Sequence, residues 1–137
     1  MPWGRGLRAA ALALWLAAWV VVAWAMLGPA PVDLAGQTDK LVHFACFFAI
    51  SLAALGFCRG AGQLLAVAVL CLAAAIGLEL GQALVPGRAF ELADMAANLA
   101  GVALGMALAR LALRRFGQVP SAGGRASARA CGRPGCG

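Results

Sequence analysis

Four long apolar runs, separated by short breaks rich in glycine and proline, constrain the fold of this chain more than any other feature. Of its 137 residues, 64% are hydrophobic and 12% are charged, about half the charged fraction of an ordinary soluble domain. A soluble domain of this size has too little interior to bury so much apolar surface. Because a membrane-crossing helix needs about 20 apolar residues, we predict an all-α integral membrane four-helix bundle.

Glycine and proline mark the ends of the predicted helices. The breaks are Gly28-Pro29-Ala30-Pro31, Arg59-Gly60-Ala61-Gly62 and Pro86-Gly87-Arg88, and proline in particular cannot continue a helix. They predict one membrane domain over residues 1–116, with helices at about 7–27, 40–57, 63–85 and 94–113. The glycine-, alanine- and arginine-rich residues 117–137 have no apolar periodicity and are predicted to be a disordered cytoplasmic tail.

The first apolar run has two interpretations. Ala23-Trp24-Ala25 matches the small-x-small pattern of a signal-peptide cleavage site. However, the run from Leu7 to Leu27 exceeds the usual signal core of about 7–15 residues. We therefore expect an uncleaved first helix.

The distribution of lysine and arginine predicts the orientation of the four helices. The side that carries both termini and the second turn holds nine of these residues, whereas the other side holds only Lys40 and Arg88. By the positive-inside rule, both termini are predicted to be cytoplasmic. All five acidic residues and the single histidine then lie on the outer half. The net charge of +6 thus indicates topology, and we expect no nucleic-acid partner.

Polar side chains are concentrated between Glu79 and Asn98 and at the start of the second helix. Asp39 and His43, four residues apart, share one helix face, and Glu79 and Gln82, three apart, share another. Glu79 lies roughly 10 Å below its helix end, where a carboxylate must be paired, protonated or solvated. The candidate functional cluster is Asp39, Lys40, His43, Glu79, Gln82, Arg88, Asp94 and Asn98, while Glu91 lies in the same stretch outside this set.

Small residues recur every four positions along the fourth helix, at Ala97, Gly101 and Gly105. This small-xxx-small spacing lets membrane helices approach closely. Asp94 and Asn98 share a face with the two glycines. We therefore predict that this face packs against the bundle and turns both polar side chains inward.

Scaffold and functional interpretations of the cluster both follow from these residue types. Asp39 and Asp94 suit helix N-caps, and Gln82 and Asn98 suit interhelical hydrogen bonds. A fold needs only one or two such polar contacts, so the size of the set favours a function. One imidazole with several carboxylates would suit a divalent metal, but a single histidine without His-Glu-x-x-His spacing argues against it. We expect no metal and no cofactor.

Four motifs in order carry a family resemblance: Thr38-Asp39-Lys40-Leu41-Val42-His43-Phe44, Glu79-x-x-Gln82, Pro86-Gly87-Arg88 and Asp94-x-x-x-Asn98-x-x-Gly101-x-x-x-Gly105. Together, over about Asp39 to Ala109, they resemble the VanZ-like family of small bacterial membrane proteins. That family is named for a protein associated with teicoplanin resistance. The resemblance implies a multi-pass protein of the bacterial cytoplasmic (inner) membrane, with the eight cluster residues at motif positions.

The cluster and the resemblance together predict a binding function in the cell envelope. We expect an outward-facing polar pocket that holds a polar or charged group of an envelope lipid, a wall precursor or a glycopeptide-like amphiphile, in contact with the lipid bilayer. The alternative is an intramembrane enzyme that acts on a lipid-linked envelope substrate. In that case Glu79 or Asp94 would be the base, His43 the acid, and Arg88 the anchor for a phosphate or carboxylate.

Overall fold

Four α-helices make up nearly all of the described part of the chain. The computed structural model describes residues 4–28, 37–86 and 90–116. The helices are α1 (Arg5–Leu27), α2 (Gln37–Ala53), α3 (Ala61–Gln82) and α4 (Leu92–Phe116), and a 3-10 turn, Ala54–Gly56, extends α2. No strand occurs in these ranges. All four helices are long and apolar enough to cross a membrane, which confirms the predicted all-α membrane architecture. The predicted tail, 117–137, lies outside the described residues.

Helices α2 and α4 begin earlier in the chain than the predicted N-cap residues Asp39 and Asp94. The Glu91 carbonyl accepts hydrogen bonds from the N–H groups of Asp94 and Met95, both at 3.1 Å. Glu91 therefore stands at the N-cap of α4, and Asp94 lies in the first turn. Asp39 likewise lies in the first turn of α2, after Gln37. The predicted N-caps are wrong, because an acidic side chain favours either position through the helix dipole.

Helices α2 and α4 form the closest pair in the bundle. A Cβ added at Gly101 would collide with the carbonyl oxygen of Phe44, and one added at Gly105 would lie 2.7 Å from that of Phe48. The two backbones therefore touch at the glycines, as close membrane packing requires. This contact brings the polar residues at the start of α4 against those at the start of α2.

Helix α1 lies at the periphery of the bundle. Only 11% of its most apolar stretch is buried, against 28% in each of the other three helices. It is attached at two depths: Trp15 Nε1 donates to the Ile50 carbonyl oxygen at 2.8 Å, and Gln82 Nε2 donates to the Met26 carbonyl oxygen at 3.0 Å. The second bond satisfies one of the carbonyls left free at a helix C-terminus.

The described acidic residues and arginines lie at opposite ends of the bundle. The starts of α2 and α4 and the end of α3 carry the described acidic residues, whereas arginines occupy the start of α1, the α2–α3 segment and the end of α4. Between them lies an apolar core that includes Phe47, Ile50, Cys71, Val102 and Met106. The acidic end is the candidate site.

Candidate functional site

Four buried polar side chains from three helices form the floor of the site. His43 comes from α2, Glu79 from α3, and Asp94 and Asn98 from α4; none is more than 4% exposed. Polar groups at such depth must find partners or lose several kcal/mol each. The three helices are held together here by polar contacts, in contrast with the apolar core below.

His43 is the centre of the floor. Its Nδ1 lies 3.1 Å from Asn98 Oδ1. An amide oxygen only accepts, so in this orientation of Asn98 the contact requires the neutral ring to carry its proton on Nδ1 and to accept at Nε2. Nδ1 also lies 3.9 Å from Glu79 Oε2, and Nε2 lies 3.8 Å from Asp39 Oδ1. The imidazole thus stands between a buried carboxylate and one that is partly exposed.

Glu79 connects the end of α3 to the start of α4. Its Oε1 accepts a hydrogen bond from the Glu91 backbone N–H at 3.1 Å. That N–H belongs to the N-cap residue of α4, where a negative charge is stabilised by the helix dipole. The other oxygen, Oε2, is buried and has no hydrogen-bond partner among the described residues. One oxygen of this carboxylate therefore binds the start of α4, and the other faces His43.

Lys40 crosses the rim of the site from α2 to α4. Its Nζ lies 3.1 Å from Glu91 Oε2 and 3.3 Å from Asp94 Oδ1. About a third of the Lys40 side chain is exposed, as is about a third of Asp39. Four carboxylates (Asp39, Glu79, Glu91 and Asp94) therefore share one ammonium group among the described residues. Among the described residues of the site, carboxyl groups therefore outnumber ammonium groups by four to one.

Comparison with known proteins decides the family. The family model described as VanZ/LLP1 matches residues 8–113, which include every residue of the site described above. The chain belongs to the VanZ/LLP1 family. This confirms the resemblance drawn from the four motifs, and with four spanning helices it identifies a multi-pass membrane protein of the VanZ-like type. No curated protein and no solved structure matched the chain.

The VanZ/LLP1 chain brings together six of the eight predicted cluster residues: Asp39, Lys40, His43, Glu79, Asp94 and Asn98. Gln82 is buried nearby, but its described hydrogen bond goes to the backbone of α1. Arg88 falls in 87–89, outside the described residues. Glu91 lies outside the predicted set, yet it contacts both Lys40 and Glu79. Its place just before an acidic first turn was the signal available in the sequence.

Three of these residues also have the spacing of a metal site. Asp39, His43 and Asp94 each offer a ligand atom, and these atoms lie within 4.8 Å of one another. An imidazole with two carboxylates suits a divalent cation. However, Lys40 already places a positive charge 3.3 Å from Asp94 Oδ1. A divalent ion bound at this oxygen would compete with the ammonium group of Lys40.

Proposed function

We propose that the acidic end of this bundle binds the polar headgroup of an envelope amphiphile at the outer face of the bacterial cytoplasmic membrane. One observation carries the proposal. Two buried atoms on facing helices, Glu79 Oε2 and Asn98 Nδ2, have no hydrogen-bond partner among the described residues. A third, Asp94 Oδ1, is contacted there only by the Lys40 ammonium group at 3.3 Å. Folded proteins leave few such atoms, and each costs about 1–3 kcal/mol. A headgroup with donors for the carboxylates and an acceptor for the amide would satisfy all three.

The charge of the site favours a ligand rich in donors. Lys40 Nζ lies near Asp94 Oδ1 and offsets its charge without an aligned hydrogen bond. The other carboxylates of the described site can accept hydrogen bonds from ligand groups such as ammonium, amide N–H or hydroxyl. The amphiphiles that the family suggests, an envelope lipid, a wall precursor or a glycopeptide-like compound, combine such a headgroup with an apolar part that can remain in the bilayer.

The rim provides the route of entry. The side chains of Asp39, Lys40 and Glu91 are between about a third and just over half exposed. Lys40 lies across the start of α4. Because a lysine has a flexible four-carbon side chain, we expect Lys40 to move aside and uncover Asp94 when a ligand enters. A ligand amine that replaced it would keep the local charge balance. We therefore expect binding to weaken as ionic strength rises, as it does for an exposed charged rim.

The test is a binding titration of the purified full chain in detergent micelles, with teicoplanin and a lipid-linked wall precursor as separate probes. Glu79→Gln keeps the shape of the side chain and removes its charge, and His43→Gln removes the imidazole. Each should weaken binding by about tenfold, the equivalent of about 1.4 kcal/mol. Leu84→Ala is the control near the same end of the bundle, because this side chain is 86% exposed and lies outside the cluster. Wild-type affinity in both site variants, for both probes, would refute the proposal.

A second candidate function is an intramembrane enzyme that acts on a lipid-linked envelope substrate. The position of His43 between Glu79 and Asp39, at 3.9 and 3.8 Å, favours it. A histidine between two carboxylates can pass a proton from one to the other once each gap closes to hydrogen-bond distance or is bridged by a water. Measuring product formation and binding in the Glu79→Gln variant distinguishes the two candidates. If the protein is an enzyme, the variant should form no product but should still bind substrate. If it is a binding protein, the variant should bind its ligand more weakly.

A third outcome would identify a scaffold. Glu79 Oε1 holds the Glu91 N–H at the start of α4, so losing it would also loosen the bundle. If every functional loss in the variants is matched by a proportional fall in unfolding temperature, the cluster acts through stability alone. Circular dichroism melts of the same preparations supply that comparison.

A further inference from the structure

A cavity of about 780 Å³ lies at the opposite end of the bundle from the acidic site. It is bounded by the first turns of α1 and α3 and by the segment that joins α2 to α3. Its lining combines three arginines with apolar side chains, including Arg5, Arg8, Arg59, Leu12, Phe57 and Val67. Its volume is in the range of about 300–1,000 Å³ that is usual for small-ligand sites.

The three arginines of this cavity have no counter-charge in the described part of the chain. No acidic residue lines the cavity, and the ion pairs formed within the described ranges all lie at the acidic end. The Nε of Arg8 is buried and has no hydrogen-bond partner among the described residues. A guanidinium group in this situation is matched by an oxyanion, which it binds through two parallel N–H bonds.

Two helix N-termini add to the positive potential. The helices α1 and α3 both begin at the cavity, and neither has a side-chain cap or an acidic residue in its first turn. Free backbone N–H groups at a helix start favour an anion there. The backbone N–H of Arg59 is bound by Gln63 Oε1 at 2.7 Å, which holds the connecting segment against the start of α3.

We propose that this cavity binds the phosphate headgroup of an anionic phospholipid, with its acyl chain along the apolar wall. The candidate membrane spans start at Arg5 and Ala61, so the arginines lie at the depth of lipid headgroups and Leu12 and Val67 lie deeper. Basic groups between helices near a membrane surface are suited to anionic lipid. The site is separate from the acidic end, and the proposal is independent of the function proposed there.

The experiment is native mass spectrometry of the full chain released from micelles, titrated with phosphatidylglycerol or with phosphatidylcholine. The site variant is Arg8→Gln with Arg59→Gln. The control is Arg110→Gln with Arg114→Gln, which removes two exposed arginines of α4 that do not line the cavity. We expect wild type and control to bind phosphatidylglycerol alike, and the site variant to bind it about tenfold more weakly. Phosphatidylcholine should bind weakly to all three proteins.

Three results would overturn the proposal. Equal losses in the site and control variants would show diffuse surface attraction, and equal binding of the two lipids would remove the selectivity for anions. Displacement of phosphatidylglycerol by an equal concentration of inorganic phosphate would assign the site to free phosphate. If the site variant unfolds, Arg8→Lys with Arg59→Lys replaces it: this variant keeps the charge, loses the two-pronged geometry, and should bind with intermediate affinity. Headgroup binding at the acidic end should be unchanged in all of these variants.

Discussion

Replacing Gly101 by alanine should push α4 away from α2, because the added methyl group has no space. Its Cβ would collide with the carbonyl oxygen of Phe44 and lie 2.9 Å from the backbone nitrogen of Phe48. Both are backbone atoms of a packed helix, so neither can rotate aside as a side chain can. The whole helix has to move. Since Phe44 follows His43 in the chain, the same shift should lengthen the His43–Asn98 contact and weaken headgroup binding.

The structure sets the size of the effect. Non-bonded heavy atoms normally approach to about 3.5 Å, so the contact with Phe48 has to open by more than half an ångström. Overpacking of this kind costs about 1–3 kcal/mol. Alanine also has a helix propensity about 1 kcal/mol more favourable than that of glycine. This gain would hide part of the packing cost if Gly101→Ala were compared with wild type, so a second Gly→Ala variant is needed as the reference. Gly77→Ala in α3 is that reference, because a Cβ at Gly77 meets nothing within 4 Å.

The assay is unfolding in mixed micelles by increasing fractions of dodecyl sulfate, followed by far-ultraviolet circular dichroism. We expect Gly101→Ala to unfold about 1–3 kcal/mol more easily than Gly77→Ala, which should itself match or exceed wild type. Equal midpoints for the two variants would refute the reasoning, since they would show that the α2–α4 contact accommodates a methyl group without cost.

Three further predictions concern other parts of the chain. Trp15→Phe removes the hydrogen-bond donor to α2 and should lower the free energy of unfolding in the dodecyl sulfate assay by about 1 kcal/mol. Trp24→Phe changes a side chain that is 74% exposed and should leave that free energy unchanged. Lys40→Met should destabilise the bundle, and Asp94→Asn should restore much of that loss in the double variant; a strictly additive double-mutant cycle would contradict the pairing. In a variant whose five native cysteines are serine, a cysteine at Gly87 should react in intact cells with a reagent that cannot cross the membrane, and one in the turn between α2 and α3 should not; the reverse pattern would place the acidic end inside.

Much of the candidate site was predictable from residue types and helical spacing. Asp39 and His43 share a face because they are four residues apart, and the structure places their polar atoms 3.8 Å apart. The family motifs indicate Glu79, Asp94 and Asn98 from the sequence alone, without any information on contacts between helices. Such inferences succeed because the spacing of residues along one helix determines which side chains share a face. In a largely apolar chain, buried polar groups also have few possible partners besides one another.

Other features were not predictable in this way. Glu79 and Gln82 share a face by spacing, yet one bonds to the start of α4 and the other to the end of α1. Glu91 reaches Lys40 across 51 positions of sequence, a separation over which helical periodicity carries no information. The grouping of Asp39, His43 and Asp94 likewise arises only when α2 and α4 meet.

The sequence by itself therefore determined the four apolar spans, the separation of acidic and arginine-rich ends, and the family. These depend on composition summed over about 20 residues and on motifs read along the chain. Within the described residues, only the tertiary structure decided which polar atoms pair and which are buried without a hydrogen-bond partner. It also placed three arginines from two separate segments around one cavity that no described acidic residue lines. The physical reason is that a long side chain can pair only with polar groups that neighbouring helices place within its reach. The close approach of α4 to α2 at Gly101 and Gly105 determines which groups these are.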